Sequence, residues 1–204
     1  MKKLTEYVVP EPAPVTLIAD LYPKGKLTLL HGRQGSGKSY SCMKSLNEVG
    51  VHPVYVDLEQ SGGLDKLKKI QTGKDLFLDM WNLKDIEDLA DNVVIIDTYT
   101  RLTGILEDIG GIDMEDKFIS NKLEEICKYY KITLIVIGHT RNYVGKDGIF
   151  DDNNILPRNV DEELFLEKSS YKATKTKQAH HKYTLHVCKG RGNGGAKLID
   201  DWMR

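Results

Sequence analysis

The sequence predicts an α/β fold: a mostly parallel sheet flanked by helices, extended toward the C-terminus by a β-hairpin. Three observations carry this. Short apolar runs recur with a polar residue closing each, at Leu27–Leu30, Val51–Leu58, Val93–Ile96 and Leu134–Ile137. Segments of helical spacing lie between them, and strands alternating with helices imply parallel pairing through right-handed crossovers. The first run leads directly into Gly32-x-x-x-x-Gly37-Lys38-Ser39, a strand, a glycine-rich turn and a helix start that together form the P-loop pattern.

In chain order, residues 1–14 carry three prolines and are expected to form a surface arm, with one domain over 15–204. Val15–Tyr22 is a short apolar segment, and Pro23-Lys24-Gly25-Lys26 is a turn into the first long strand. Met43, Leu46 and Val49 share a helix face after the P-loop, and Gly50 is a natural stop. Val51–Leu58 is rich in β-branched and aromatic residues and ends in Glu59, which predicts a second strand. Leu64, Leu67 and Ile70 suggest a short helix, Leu76-Phe77-Leu78 an edge strand, and Ile86–Ala90 another helix. Val93–Ile96, ended by Asp97, has the continuous apolar character of a strand buried on both faces. Leu102–Asp113, with Gly104, Gly110 and Gly111, is expected to be a loop. Met114–Tyr130 is amphipathic through Ile119, Leu123, Ile126, Cys127 and Tyr130. Leu134–Ile137 then leads into Gly138-His139-Thr140. Arg141–Arg158 is polar and predicted to be a loop, and Leu164–Glu167 and Tyr183–Cys188 are the two strands of the hairpin.

Bulk properties narrow the class. At 204 residues, 40% hydrophobic and 29% charged, the composition is that of a globular protein. No run approaches the ~18 apolar residues of a membrane span. The two N-terminal lysines are followed by no apolar core, so a secretory signal is not expected and the cytoplasm is the expected location. Cys42, Cys127 and Cys188 are odd in number and widely spaced, which favours buried thiols over disulfides. Net charge is −1. Its distribution is uneven: Lys168, Lys172, Lys175, Lys177, Lys182, Lys189 and Arg191 follow one another without an intervening acid. Such a stretch is either a phosphate-binding surface or a solvated hairpin.

The P-loop dictates a chemistry. Gly32, Gly35 and Gly37 allow a turn tight enough for consecutive N–H groups to point at a phosphate chain, together with the start of the following helix. The cradle is Gly32, Arg33, Gln34, Gly35, Ser36, Gly37, Lys38, Ser39 and Tyr40. Lys38 is suited to the β- and γ-phosphates of a nucleoside triphosphate, and Ser39 to Mg²⁺. Ligands in parallel sheets gather at the carboxyl ends of the strands. Asp97 there is suited to holding Mg²⁺ through its water shell, Glu59 to activating a water, and His139 to sensing the terminal phosphate. His180, His181, His186 and Cys188 match no common zinc spacing, and strand alternation accounts for His186 and Cys188, so no metal besides Mg²⁺ is expected.

GRQGSGKS, VDLE, VVIIDT and LIVIGHTR together resemble the RecA-like ATPase superfamily, most closely RepA-type hexameric helicases and the small phage recombination ATPases built from the RecA core alone. The resemblance spans about residues 15–195. It implies a RecA-like core that binds and hydrolyses ATP with Mg²⁺, with the catalytic glutamate on the strand beside that of Asp97, as Glu59 is. It also implies a ring or filament of identical subunits acting on single-stranded DNA as a helicase-type motor or recombinase. In that superfamily a Lys-x-Arg pair reaches the neighbour's nucleotide, which makes Lys189 and Arg191 candidate catalytic residues; a plain surface turn is the alternative. A DNA-contacting loop follows the sensor strand, so Arg141, Lys146 and Arg158 are candidate phosphate contacts and Tyr143 a candidate base-stacking residue. Asp147, Asp151 and Asp152 argue against a tight grip. Two other classes remain open: a small-molecule phosphotransferase, for which Arg141–Arg158 is the one candidate lid, and a slowly hydrolysing assembly or regulatory subunit.

Overall fold

The computed structural model describes residues 16–59, 67–110, 115–139, 160–171, 180–189 and 196–198. Their elements, in chain order, are β1 (Leu17–Ile18), β2 (Tyr22–Pro23), β3 (Leu27–Gly32), α1 (Lys38–Glu48), β4 (Val54–Asp57), β5 (Ile70–Thr72) and α2 (Lys74–Trp81). A single 3₁₀ turn at Glu87–Leu89 follows, then β6 (Val93–Asp97), α3 (Tyr99–Gly110), α4 (Asp116–Tyr130), β7 (Thr133–His139), β8 (Glu162–Tyr171), β9 (His180–Lys189) and β10 (Ala196–Leu198). β1 and β2 pair with each other, and the other eight strands form one sheet in the order β10-β9-β8-β3-β7-β6-β4-β5.

From β8 to β5 the pairing is parallel, whereas β9 and β10 run antiparallel and make the C-terminal extension a hairpin with one further strand. β3 lies between two parallel neighbours. Registers bring the carboxyl ends of four strands to one edge, with Gly32 opposite His139 and Asp57 opposite Asp97. Every residue of β3, β4 and β6 is buried, which is why these segments read as continuous apolar runs rather than alternating ones.

Side-chain alternation divides the core. Leu27, Leu29, Val54, Val56, Val94, Ile96, Leu134 and Val136 pack beneath α2, α3 and α4. On the other face Leu30, Tyr55, Ile95, Ile135, Ile137, Leu164 and Leu166 pack with Cys42, Met43 and Leu46 of α1. Because successive strand residues point to opposite faces, Asp97 shares the α1 face with Val93 and Ile95, and His139 shares it with Ile135 and Ile137. Parity therefore fixes which strand-end side chains can meet the start of α1.

Four local expectations need correction. The Leu76-Phe77-Leu78 stretch is helical, in α2, because Phe77 and Met80 one turn apart both bury against the core, and three apolar residues in a row do not distinguish strand from helix. In the expected loop Leu102–Asp113, the stretch up to Gly110 is helical, in α3, since Tyr99, Leu102 and Leu106 lie on one buried stripe, and residues 111–113 lie outside the described residues. That burial outweighs the ~1 kcal/mol penalty of Gly104 inside a helix. Ile86–Ala90 forms only the 3₁₀ turn. Ile70 starts strand β5 rather than ending a helix, and is largely exposed. Cys42 and Cys127 are buried thiols, their pKa values pushed up to about 12 chiefly by burial, whereas Cys188 is only half-buried. The N-terminal arm, Arg141–Arg158 and the hairpin connection at 172–179 lie outside the described residues, among which no helix is long and apolar enough to cross a membrane.

Candidate functional site

The turn from β3 to α1 is shaped by glycine where glycine is needed. Gly35 and Gly37 have φ of +72° and +85°, and a Cβ on Gly32 would collide with the Leu166 carbonyl oxygen of the adjacent strand. Arg33, Gln34 and Gly35 form an exposed crest, while Ser36 and Lys38 are buried beneath it and Gly37 and Ser39 are half-buried. Gly37 stands at the N-cap of α1 without a side-chain cap, so the first amides of the helix face the turn. Tyr40 lies one residue further on, 40% exposed. The buried Ser36 hydroxyl has no hydrogen-bond partner among the described residues. An orphaned hydroxyl, uncapped helix amides and a side-chain-free floor fit a phosphate group as their missing acceptor.

Asp97 ends β6 almost fully buried, 2% exposed, and faces the first turn of α1 as its strand parity requires. The Ser39 hydroxyl donates a short hydrogen bond to Asp97 Oδ2. Tyr55 donates to the same oxygen from β4 at 2.5 Å. Tyr55 is opposite Ile95 in the ladder, so its ring reaches diagonally to the residue two further along β6. Burial raises the Asp97 pKa, and the two hydroxyls oppose that rise. Ser39 Oγ and the Asp97 carboxylate thus offer adjacent hard oxygen donors, the kind that Mg²⁺ accepts.

Lys38 bends back over the turn and donates to the carbonyls of Gly32 at 3.0 Å and Arg33 at 2.9 Å. Its third contact is His139 Nδ1 at 3.2 Å. An ammonium can only donate, so Nδ1 accepts, and the ring proton sits on Nε2. Nε2 lies 3.3 Å from Glu59 Oε1, and the Thr98 hydroxyl donates to that same oxygen at 2.8 Å. One polar chain therefore runs Lys38, His139, Glu59, Thr98, from the start of α1 to the end of β7 and the residues just after β4 and β6. Burial lowers the Lys38 pKa to about 8, with Asp97 and Glu59 pulling the other way.

Glu59, Lys38, His139, Ser39 and Asp97 thus meet at one edge of the sheet, around the glycine-rich turn. Lys189 closes β9 opposite Glu163, and its side chain lies outside the described residues, as do Arg191, Arg141, Tyr143, Lys146 and Arg158. Tyr55 and Thr98 went unrecognised in the sequence. A tyrosine inside a buried aliphatic strand was the available signal, because a buried phenol seeks a partner. Thr98 carried none beyond standing next to Asp97.

A mostly parallel sheet with β3 near its centre, a glycine turn into α1, and carboxylates at the end of β6 and just after β4 make up an α/β fold of the RecA-like P-loop type. Among solved structures, a KaiC-like protein from the hyperthermophilic archaeon Pyrococcus horikoshii OT3 superposes with a TM-score of 0.59 over 90% of this chain and 94% of its own, at 16% sequence identity. No protein-family profile matches the chain, and no curated protein sequence matches it.

Proposed function

We propose that the protein is a Mg²⁺-dependent ATPase that works on single-stranded DNA as an assembly of identical subunits, in the manner of a helicase-type motor or a recombinase. The observation that carries the hydrolytic part is the polar chain from Lys38 through His139 to Glu59, with Asp97 beside Ser39. ATP would lie along the turn from Gly32 to Tyr40, its phosphates on the amides of α1, the Ser36 hydroxyl and Lys38. Mg²⁺ held by Ser39 and Asp97 would supply charge neutralisation at the β- and γ-phosphates. Glu59 acts as the base. Its Oε1 already receives two hydrogen bonds, which leaves Oε2 to take a proton from water. His139 senses the terminal phosphate, because a phosphate on Lys38 competes directly with the Lys38 to His139 contact.

The DNA part rests on the sequence resemblance and on chain continuity. His139 is followed after one residue by Arg141, so a change at the imidazole passes by the shortest route into the segment that carries Arg141, Tyr143, Lys146 and Arg158. Lys189 and Arg191 would complete a neighbouring subunit's site, where a positioned cation is worth about 10³ to 10⁵ in rate. ATP turnover measured with and without single-stranded DNA at low salt tests this, since phosphate contacts weaken steeply with salt. The expected result is stimulation that diminishes as salt is added. Unchanged turnover together with no binding at low salt would remove DNA from the account while leaving the ATPase intact.

Tyr55→Phe isolates the Mg²⁺ position. Loss of the hydroxyl strips one of two donors from a buried carboxylate without changing the shape of the core. Outer partners of metal ligands are typically worth about 10- to 100-fold in metal affinity. The Mg²⁺ concentration for half-maximal ATP hydrolysis should therefore rise about tenfold, and the loss of a donor to a buried carboxylate, about 1 to 3 kcal/mol, should lower Tm by a few degrees without unfolding the protein. An unshifted Mg²⁺ titration would show that Tyr55 only fills space.

A further inference from the structure

On the sheet face opposite to Lys38 and Asp97, three chemically different donors from three adjacent strands converge. His31 of β3, Glu163 of β8 and Cys188 of β9 bring an imidazole nitrogen, a carboxylate oxygen and a thiol sulfur all within 4.8 Å of one another. We propose that these residues bind one zinc-type divalent cation, which staples the P-loop strand to the C-terminal hairpin.

Strand parity separates this cluster from the nucleotide site. Leu27 and Leu29 pack beneath α2 to α4 while Leu30 packs with α1, so His31 belongs to the former face. Leu164 and Leu166 likewise point to the α1 side, which turns Glu163 and Phe165 toward His31. The imidazole is completely buried, and the Phe165 ring lies 5.2 Å from it, tilted by 57°, restricting its rotation. Its Nε2 stands 3.2 Å from Glu163 Oε1. In a tetrahedral zinc site with nitrogen and oxygen legs of about 2.1 Å, that edge is about 3.4 Å. Two ligands are thus already at coordinating separation, and the sulfur needs only a short approach.

The ladder supplies an independent argument. β8 and β9 pair residue for residue from Tyr171 and His180 to Leu164 and Val187, and the next pair joins Glu163 to Lys189. Cys188 is therefore the extra residue of a β-bulge, at the step beside Glu163. Bulges bend the strand and re-aim a side chain, and they are common next to functional sites. His186, the other ring on this part of β9, is engaged with Glu167 at 3.0 Å and is not counted as a ligand. A nitrogen, sulfur and oxygen donor set suits zinc and related borderline metals, whereas Mg²⁺ and Ca²⁺ take oxygen ligands. No sequence spacing announces such a site, because each donor comes from a different strand. Since His31 directly precedes Gly32, a cation here would anchor the root of the phosphate-binding turn from its far side.

Cobalt(II) titration of the purified protein tests this without recourse to ATP turnover. The expected result is a near-ultraviolet thiolate-to-cobalt band with strong tetrahedral visible bands, saturating at one equivalent and bleached by zinc. Cys188→Ala should abolish the thiolate band, and Glu163→Gln should weaken binding by about tenfold or more. Circular dichroism checks that both variants remain folded. No thiolate band in the wild type at saturating cobalt would overturn the proposal whatever the variants do, leaving a buried His31 beside a partly exposed Glu163 and nothing more. A band that persists undiminished in folded Cys188→Ala would equally overturn it, by assigning the signal to Cys42 or Cys127.

Discussion

Glu59→Gln is expected to bind ATP about as tightly as the unaltered protein and to hydrolyse it about 10² to 10⁴-fold more slowly, the usual worth of a positioned general base. The amide keeps the carbonyl oxygen that accepts from Thr98 and His139, so the polar chain and the local fold should persist. What it loses is the capacity to take a proton. An equilibrium titration with a fluorescent ATP analogue, paired with a phosphate-release assay, separates the two quantities. Wild-type turnover in this variant would remove Glu59 from the chemistry and require another base.

Lys38→Ala should fail one step earlier, at binding. An ammonium shared between two phosphates contributes charge-assisted hydrogen bonds of about 1.5 to 3 kcal/mol each, so Kd is expected to rise about 100-fold or more. Normal affinity in a titration would contradict the assigned role. The unaltered protein offers a second check through pH. Burial lowers the Lys38 pKa from its usual value to about 8. Below that the ammonium is ready to receive phosphate; above it the amine is neutral, and binding must first take up a proton. Affinity should therefore weaken as pH rises through about 8, with proton uptake on binding detectable by calorimetry in buffers of different ionisation heat. The fold responds in the opposite sense. The unfolded lysine holds its proton up to a higher pH than the folded one, so this residue's contribution makes the protein more stable as pH rises from about 8 toward the ordinary lysine range.

Much of this arrangement was legible in the sequence because its strands are buried on both faces and end abruptly in polar residues. Val93–Ile96 followed by Asp97 could be read as a strand buried on both faces and closed by a carboxylate, and β6 is that strand. The meeting of Glu59, Asp97 and His139 followed from the parallel strand order together with the glycine turn. Where the chain is only half-buried, periodicity misled. Phe77 lies in an apolar triplet equally compatible with strand and helix, and the contact of Phe77 and Met80 with the core decides for helix. Gly104 disguised α3, whose commitment comes from Tyr99, Leu102 and Leu106 rather than from local propensity. The role of Tyr55 and the neighbours of Cys188 were hidden for a different reason: the groups they meet lie on other strands, and only register brings them together.

The central position of β3 has a consequence for how the protein comes into being. Its ladder partners are distant in the chain, with Leu27 opposite Leu134 on one side and Thr28 opposite Glu162 on the other. A nascent polypeptide that has emerged from the ribosome only as far as α4 already contains the whole glycine turn but neither flank that holds it. Closing such long loops comes late and slows folding. The glycine turn should thus take its final shape only after β8 has emerged, as a property of the completed sheet.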